Sequence, residues 1–184
     1  MKPVLSLKLR LADLPQRKAT QVRLVPDITQ LEALADRFDL DGLRKMRFEG
    51  TLAPAGGRDW LFSGKLGATV VQACRVTTDP VTTRIDEAVV RRYTPDIDVP
   101  SENEEEVEMS EDDSIEPLPE VIEMGALMEE ALSLAIPAFP RSEAADEIDL
   151  TAAPPGAQPL TDEAVKPFAG LAALKAKMEG KDEE

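Results

Sequence analysis

From Trp60 to Val76 the chain alternates. Trp60, Phe62, Leu66, Ala68, Val70, Cys74 and Val76 hold even positions, and Ser63, Lys65, Thr69, Arg75 and Thr77 hold odd ones. Successive strand residues point to opposite faces, so this spacing buries one face and wets the other. The run exceeds an ordinary strand, and Gly64 and Gly67 predict a bulge or a sharp bend inside it. Pro54-Ala55-Gly56-Gly57-Arg58-Asp59 reads as the turn before it, and Thr78-Asp79-Pro80 as the turn after it, with Val81–Tyr93 returning. A central strand with antiparallel neighbours on both sides commits this half of the chain to a sheet.

The segments before it agree. In Val4–Leu11 the residues Leu5, Leu7, Leu9 and Leu11 alternate with Ser6, Lys8 and Arg10, and Gln21–Val25 is a shorter candidate. Over Leu43–Leu52, Met46, Phe48 and Leu52 share one parity while Lys45, Arg47 and Glu49 take the other. Between them lies a helix. Asp27 is its N-cap, Gln30 its capping-box partner, and Ile28, Leu31, Leu34/Ala35 and Phe38 form an apolar stripe. Gly42 marks its stop. The predicted fold class is α+β: a curved antiparallel, barrel-like sheet with two or three packed helices and an acidic mobile loop.

Charge divides the chain near its middle. Residues 1–92 carry 16 Lys and Arg against 11 Asp and Glu, whereas residues 93–184 carry 5 against 25. The predicted organisation follows that break. A basic β-rich core with one helix spans 1–95, and an acidic loop spans 96–118, because a run dominated by Glu and Asp repels itself and buries little. A helix packing on the core spans 119–140, with Val121, Met124, Leu127/Met128, Ala131/Leu132 and Ala135 as its apolar face and Pro137 as its stop. A flexible spacer covers 141–160, Ala- and Pro-rich at Thr151–Pro159. A C-terminal amphipathic helix and tail covers 161–184, where Phe168, Leu171, Leu174 and Met178 would form a docking stripe.

Several function classes lose support. There is no histidine and one cysteine, Cys74. One cysteine excludes an intramolecular disulfide and a Cys-based zinc site within one chain, and missing histidine weighs against hydrolases of the Ser-His or Cys-His type. No phosphate-binding glycine motif or metal box is present. The acidic run Glu102–Asp113 lacks calcium-loop spacing; it reads as a solvated loop, or as a nucleic-acid mimic shielding the basic half. The expectation is a non-enzymatic protein with no cofactor and no metal. The N-terminus lacks an apolar core of the signal-peptide kind, and no window reaches about 18 apolar residues. A cytoplasmic protein without membrane contact is therefore expected. Cys74, on the apolar parity, is expected to be a buried, inert thiol.

The candidate binding residues are cationic. Lys8, Arg10, Arg23, Lys45, Arg47, Arg84, Arg91 and Arg92 all fall on predicted strands. Such an array neutralises phosphates and gains affinity by counterion release. A strand facing water carries charge in any case, and no aromatic platform interleaves these cations.

The stretch Gly64–Val81, with Cys74, Asp79 and Pro80 at its end, resembles the centre of the YceD family, the large ribosomal RNA subunit accumulation proteins. That family carries a Cys-x-Arg-Cys-Leu-Glu-Pro motif here; Val76, Thr77 and Thr78 depart from it. The order of elements is also similar, from Ala-Asp-Arg at 35–37 through Pro137-x-x-Pro140 to Phe168–Leu174. Many members carry further cysteines, spaced like zinc ligands, where this chain has Thr77 and Arg141-Ser142-Glu143. A metal role is therefore not carried over. The resemblance implies ribosome biogenesis, supporting accumulation of large-subunit (23S) ribosomal RNA, with no catalytic residues. The implied partner is ribosomal RNA or the pre-ribosomal large subunit, bound through the basic strand face. The alternative is an acidic interaction module or chaperone for a basic ribosomal protein.

Overall fold

The structure is a computed structural model and describes residues 2–95 and 114–147. The described residues up to Ser142 belong to one compact unit. Its main sheet has five strands in the order β2 (Thr20–Leu24), β3 (Gly42–Pro54), β4 (Trp60–Ala73), β5 (Pro80–Thr94) and β6 (Ile115–Pro117). The first four are antiparallel, and β6 runs parallel to the end of β5. The sheet is open rather than closed into a barrel, with β2 and β6 at its edges. A second sheet pairs β1 (Lys8–Arg10) with β7 (Val121–Glu123). Of the long strand expected over Val4–Leu11, only three residues form one. Leu11–Asp13 turns into a 3-10 helix, and Leu11 N–H donates to the Glu120 carbonyl.

Period-2 patterning fixes which face is buried. Phe62, Leu66, Ala68 and Val70 of β4 are fully buried, as are Phe48 and Leu52 of β3. Phe48 and Phe62 stack at 5.2 Å between ring centroids. Gly50 and Gly64 are cross-strand partners, and a Cβ on either would lie within 2.8 Å of the Phe62 ring tip. Gly64 therefore marks no bulge: bare backbone there leaves room for the ring. The β4–β5 register runs unbroken from Trp60↔Tyr93 to Ala73↔Pro80.

The irregularity lies in β3 instead. Arg44 pairs with Thr69 and Arg47 with Gly67, so β3 holds one residue more than β4 at that point. Lys45 takes up the difference with φ 51°, a left-handed conformation that costs roughly 1–2 kcal/mol for a residue with a Cβ.

Two helices lie on the buried face. α1 (Ile28–Arg37) begins at Asp27, whose carboxylate accepts from Gln30 backbone N–H while the Gln30 side-chain oxygen Oε1 accepts from Asp27 backbone N–H. This is the capping box expected from sequence. Leu34 and Ala35 are buried and Ile28 is exposed. The helix ends at Arg37 with Phe38 as its C-cap; Asp39 follows with φ 52°, and Leu40 N–H returns to the Ala35 carbonyl, while Gly42 already belongs to β3. α2 (Met124–Ala135) packs Met124, Leu127, Met128 and Leu132 against β4 and β5. Arg37 of α1 bonds Glu129 of α2, tying the helices together. The expected helix from 119 thus starts later, because Val121–Glu123 pairs with β1. Glu143–Glu147, in the second unit, is a 3-10 helix where a spacer was expected. The expectations over 96–113 and 148–184 lie outside the described residues.

Candidate nucleic-acid interface

The other face of the main sheet carries no helix among the described residues. Register aligns its outward residues in rows. Arg23, Glu49, Lys65 and Ala88 form one row; Arg47, Gly67 and Asp86 the next; Arg44, Thr69 and Arg84 a third. The extra residue in β3 matters here. Strict alternation would turn Arg44 inward, yet Arg44, Lys45 and Arg47 are all exposed while Met46 and Leu43 are buried.

The cations converge on Gly67. A Cβ there would stand 2.7 Å from the Arg84 Nη2, 3.3 Å from the Asp86 Oδ1 and 3.4 Å from the Arg47 Nε, so both guanidinium groups, together with the Asp86 carboxylate, lie over bare backbone. Arg84 donates twice to Asp86, at 2.8 and 2.6 Å, and its Nη1 lies 3.4 Å from the Thr69 hydroxyl. Hydrogen bonding to Arg84 holds the Asp86 carboxyl below its usual range, and the charges of Arg84, Arg47 and Lys65 add to this. Arg23 pairs with Glu49 at 3.1 Å. Arg44, Lys45, Arg47 and Lys65 have no ion-pair partner among the described residues.

The eight cations predicted from sequence are not one surface. Arg23, Lys45, Arg47 and Arg84 share this face. Arg92 also lies on it, at the hairpin end, bonded to Asp59 at 2.6 Å; that bond lowers the Asp59 pKa. Arg91 points the opposite way. Its side chain is 15% exposed and forms ion pairs with Glu116, at 3.1 Å, and with Glu130 of α2. Burial raises the Glu116 pKa and the Arg91 charge opposes this, so Arg91 serves the core side. Lys8 and Arg10 belong to the two-stranded sheet, Lys8 facing Glu123 in register. Sequence parity missed Arg44 and passed over Lys65. The signal for Arg44 was present, since Leu43 and Phe48 are both apolar although their separation is odd.

Cys74, Asp79 and Pro80 build the β4–β5 turn. Cys74 N–H donates to the Asp79 carbonyl at 2.7 Å, Thr78 N–H returns to the Cys74 carbonyl, and Arg75 N–H reaches the Pro140 carbonyl. Cys74 is buried as expected, but its sulfur is not bare. It accepts from the N–H groups of Val76, Thr77 and Ser142 at 3.3–3.4 Å. Hydrogen bonds from the Thr77 side chain and backbone, then from Ser142, outweigh burial and lower its pKa to about 6. The Thr77 and Ser142 hydroxyls lie 3.0 Å apart beside it. One thiol and two neutral hydroxyls do not fit a zinc ion, which takes thiolate, imidazole or carboxylate ligands. No cluster of His, Cys, Asp or Glu suited to a metal occurs among the described residues.

Fold and surface together describe a two-layer α+β protein with one helix-covered sheet face and one open cationic face. The chain belongs to the YceD family: the family model described as large ribosomal RNA subunit accumulation protein YceD matches residues 62–175. That description links the family to accumulation of large-subunit ribosomal RNA and names no catalysis. The match begins within β4 and takes in β5, β7, α2 and the Cys74–Pro80 turn. No curated protein and no solved structure matches the chain. No described helix is long and apolar enough to cross a membrane.

Proposed function

We propose that this protein is a non-enzymatic, cytoplasmic factor in assembly of the large ribosomal subunit, and that it holds ribosomal RNA against the open face of its main sheet. The observation that carries this reading is the gathering of Arg44, Lys45, Arg47, Lys65 and Arg84 on one face, with Arg47 and Arg84 over Gly67. The helices bury the opposite face, so the cations have rigid backbone beneath them. Contacts of this kind position phosphates without reading bases, so affinity should depend more on salt than on sequence. Arg91, Lys8 and Arg10 take no part.

The test is a gel shift with fragments of large-subunit ribosomal RNA at several salt concentrations. Lys45→Glu with Arg47→Glu should weaken binding at least tenfold, about 1.4 kcal/mol. The slope of log affinity against log salt should flatten by about 1–2, as expected for one or two lost phosphate contacts. Equal shifts for wild type and the double variant would overturn the assignment of this face.

A further inference from the structure

The strand β5 has an open edge. β6 occupies that edge only along Arg92–Thr94. Arg92 N–H donates to the Ser114 carbonyl and Leu118 N–H to the Thr94 carbonyl, which shows which backbone groups face this side. By strand alternation the N–H and C=O groups of Val90, Ala88, Asp86 and Arg84 open on the same side. No described residue pairs with them, and none of these four has an interaction beyond those given above. An unpaired edge of this length invites another strand, because each strand residue added satisfies main-chain groups.

The edge also has a wall. α2 overhangs it, leaving a groove of about 610 Å³ between β5 and the helix. Val89, Ala131 and Ala135 line its floor, and Leu134 and Val90 stand open at 78% and 49% exposure. Glu87 and Glu130 lie on its rim. Arg91, the one cation lining it, is already engaged with Glu116 and Glu130. The groove thus mixes apolar and polar surface, with carboxylates at its margin.

We propose that this edge is a docking site for an extended, basic segment of a partner protein, which adds to β5 as a further strand. Alternate side chains of the segment fall beneath α2. An apolar one covers Leu134 and Ala131, and a Lys or Arg meets Glu87 and Glu130. The charge of the rim selects the occupant. The site is separate from the cationic face, so it stands or falls without the RNA reading.

The experiment uses the full chain and a labelled nine-residue peptide of alternating Lys and Val. Fluorescence anisotropy should show saturable binding, and a Glu/Val peptide should bind at least tenfold more weakly. Ala88→Pro removes an N–H on the open side without touching the β4 ladder, and should lower affinity at least tenfold. Leu134→Lys, at an exposed position, should do the same with the fold unchanged by circular dichroism. Amide exchange at Ala88 and Val90 should slow when peptide is added. Equal binding of the two peptides, or full affinity in both variants, overturns the proposal. So does slowed exchange that follows protein concentration without peptide, since the edge would then pair with a second copy. RNA gel shifts of Leu134→Lys should match wild type, so that failure of either reading is seen on its own.

Discussion

Arg91 and Arg92 are neighbours in sequence and opposites in role. The Arg92 side chain is 49% exposed on the open face and answers one turn carboxylate; Arg91, at 15%, is held between β6 and α2. The same contrast runs through the whole sheet. One face is a packed core, with α1 against β3 and α2 against β4 and β5, and the other is a wet array of cations. The lesson is that charge type alone says little until strand parity says which layer a residue joins. Substitutions on the two faces should therefore be read by different assays.

The largest effect belongs to the covered face. Phe62→Ala removes a fully buried ring that stacks on Phe48 and spreads over Gly50 and Gly64. Urea denaturation should show a loss of about 3–5 kcal/mol. A loss near zero would break the contrast at its root. Next comes the neighbouring pair. Arg91→Ala leaves Glu116 and Glu130 short of a partner in a half-buried site and should cost about 1–3 kcal/mol. Arg92→Ala breaks an exposed pair and should cost no more than about 1 kcal/mol. Equal costs would mean that the faces are not distinct.

Smaller effects sharpen the account. Asp27→Ala removes the carboxylate that accepts from Gln30 N–H, leaving only the backbone half of the α1 capping box, and should lower stability by about 1 kcal/mol, measured by thermal unfolding. The Cys74 thiol, lowered in the fold from 9.0 to about 6, should give a pH-dependent term. Because the folded pKa is depressed, its stabilisation is complete above the ordinary thiol value and is lost as pH falls through about 6. The stability gap between wild type and Cys74→Ala should widen from pH 6 to pH 9. A constant gap would mean that the three N–H groups do not favour the thiolate.

Local signals were legible and long-range ones were not. The capping box at Asp27, the Gly56-Gly57 turn with φ 96° and 56°, and the inward parity of β4 all depend on residues close in sequence. The family likeness, too, was readable from the Cys74–Pro80 turn. The bulge at Lys45 shows in the sequence only as the odd separation of apolar Leu43 and Phe48, and the partner's register is what places the extra residue. Local sequence predicts a loop over Ile115–Pro117 and a helix over Val121–Glu123. Each becomes a strand through pairing with distant β5 or β1, which no local pattern encodes. At the candidate site, the convergence of Arg47 and Arg84 over Gly67 joins three strands. A list of cations could not supply that geometry.

Ultraviolet crosslinking of the bound RNA fragment, followed by mass spectrometry of the attached peptides, tests the central claim most directly. Attachment at residues 44–47, Lys65 and the outward side of β5 near Arg84 is the predicted result. Crosslinks confined to α1, α2 or the β1–β7 sheet, with the open face untouched, would contradict it.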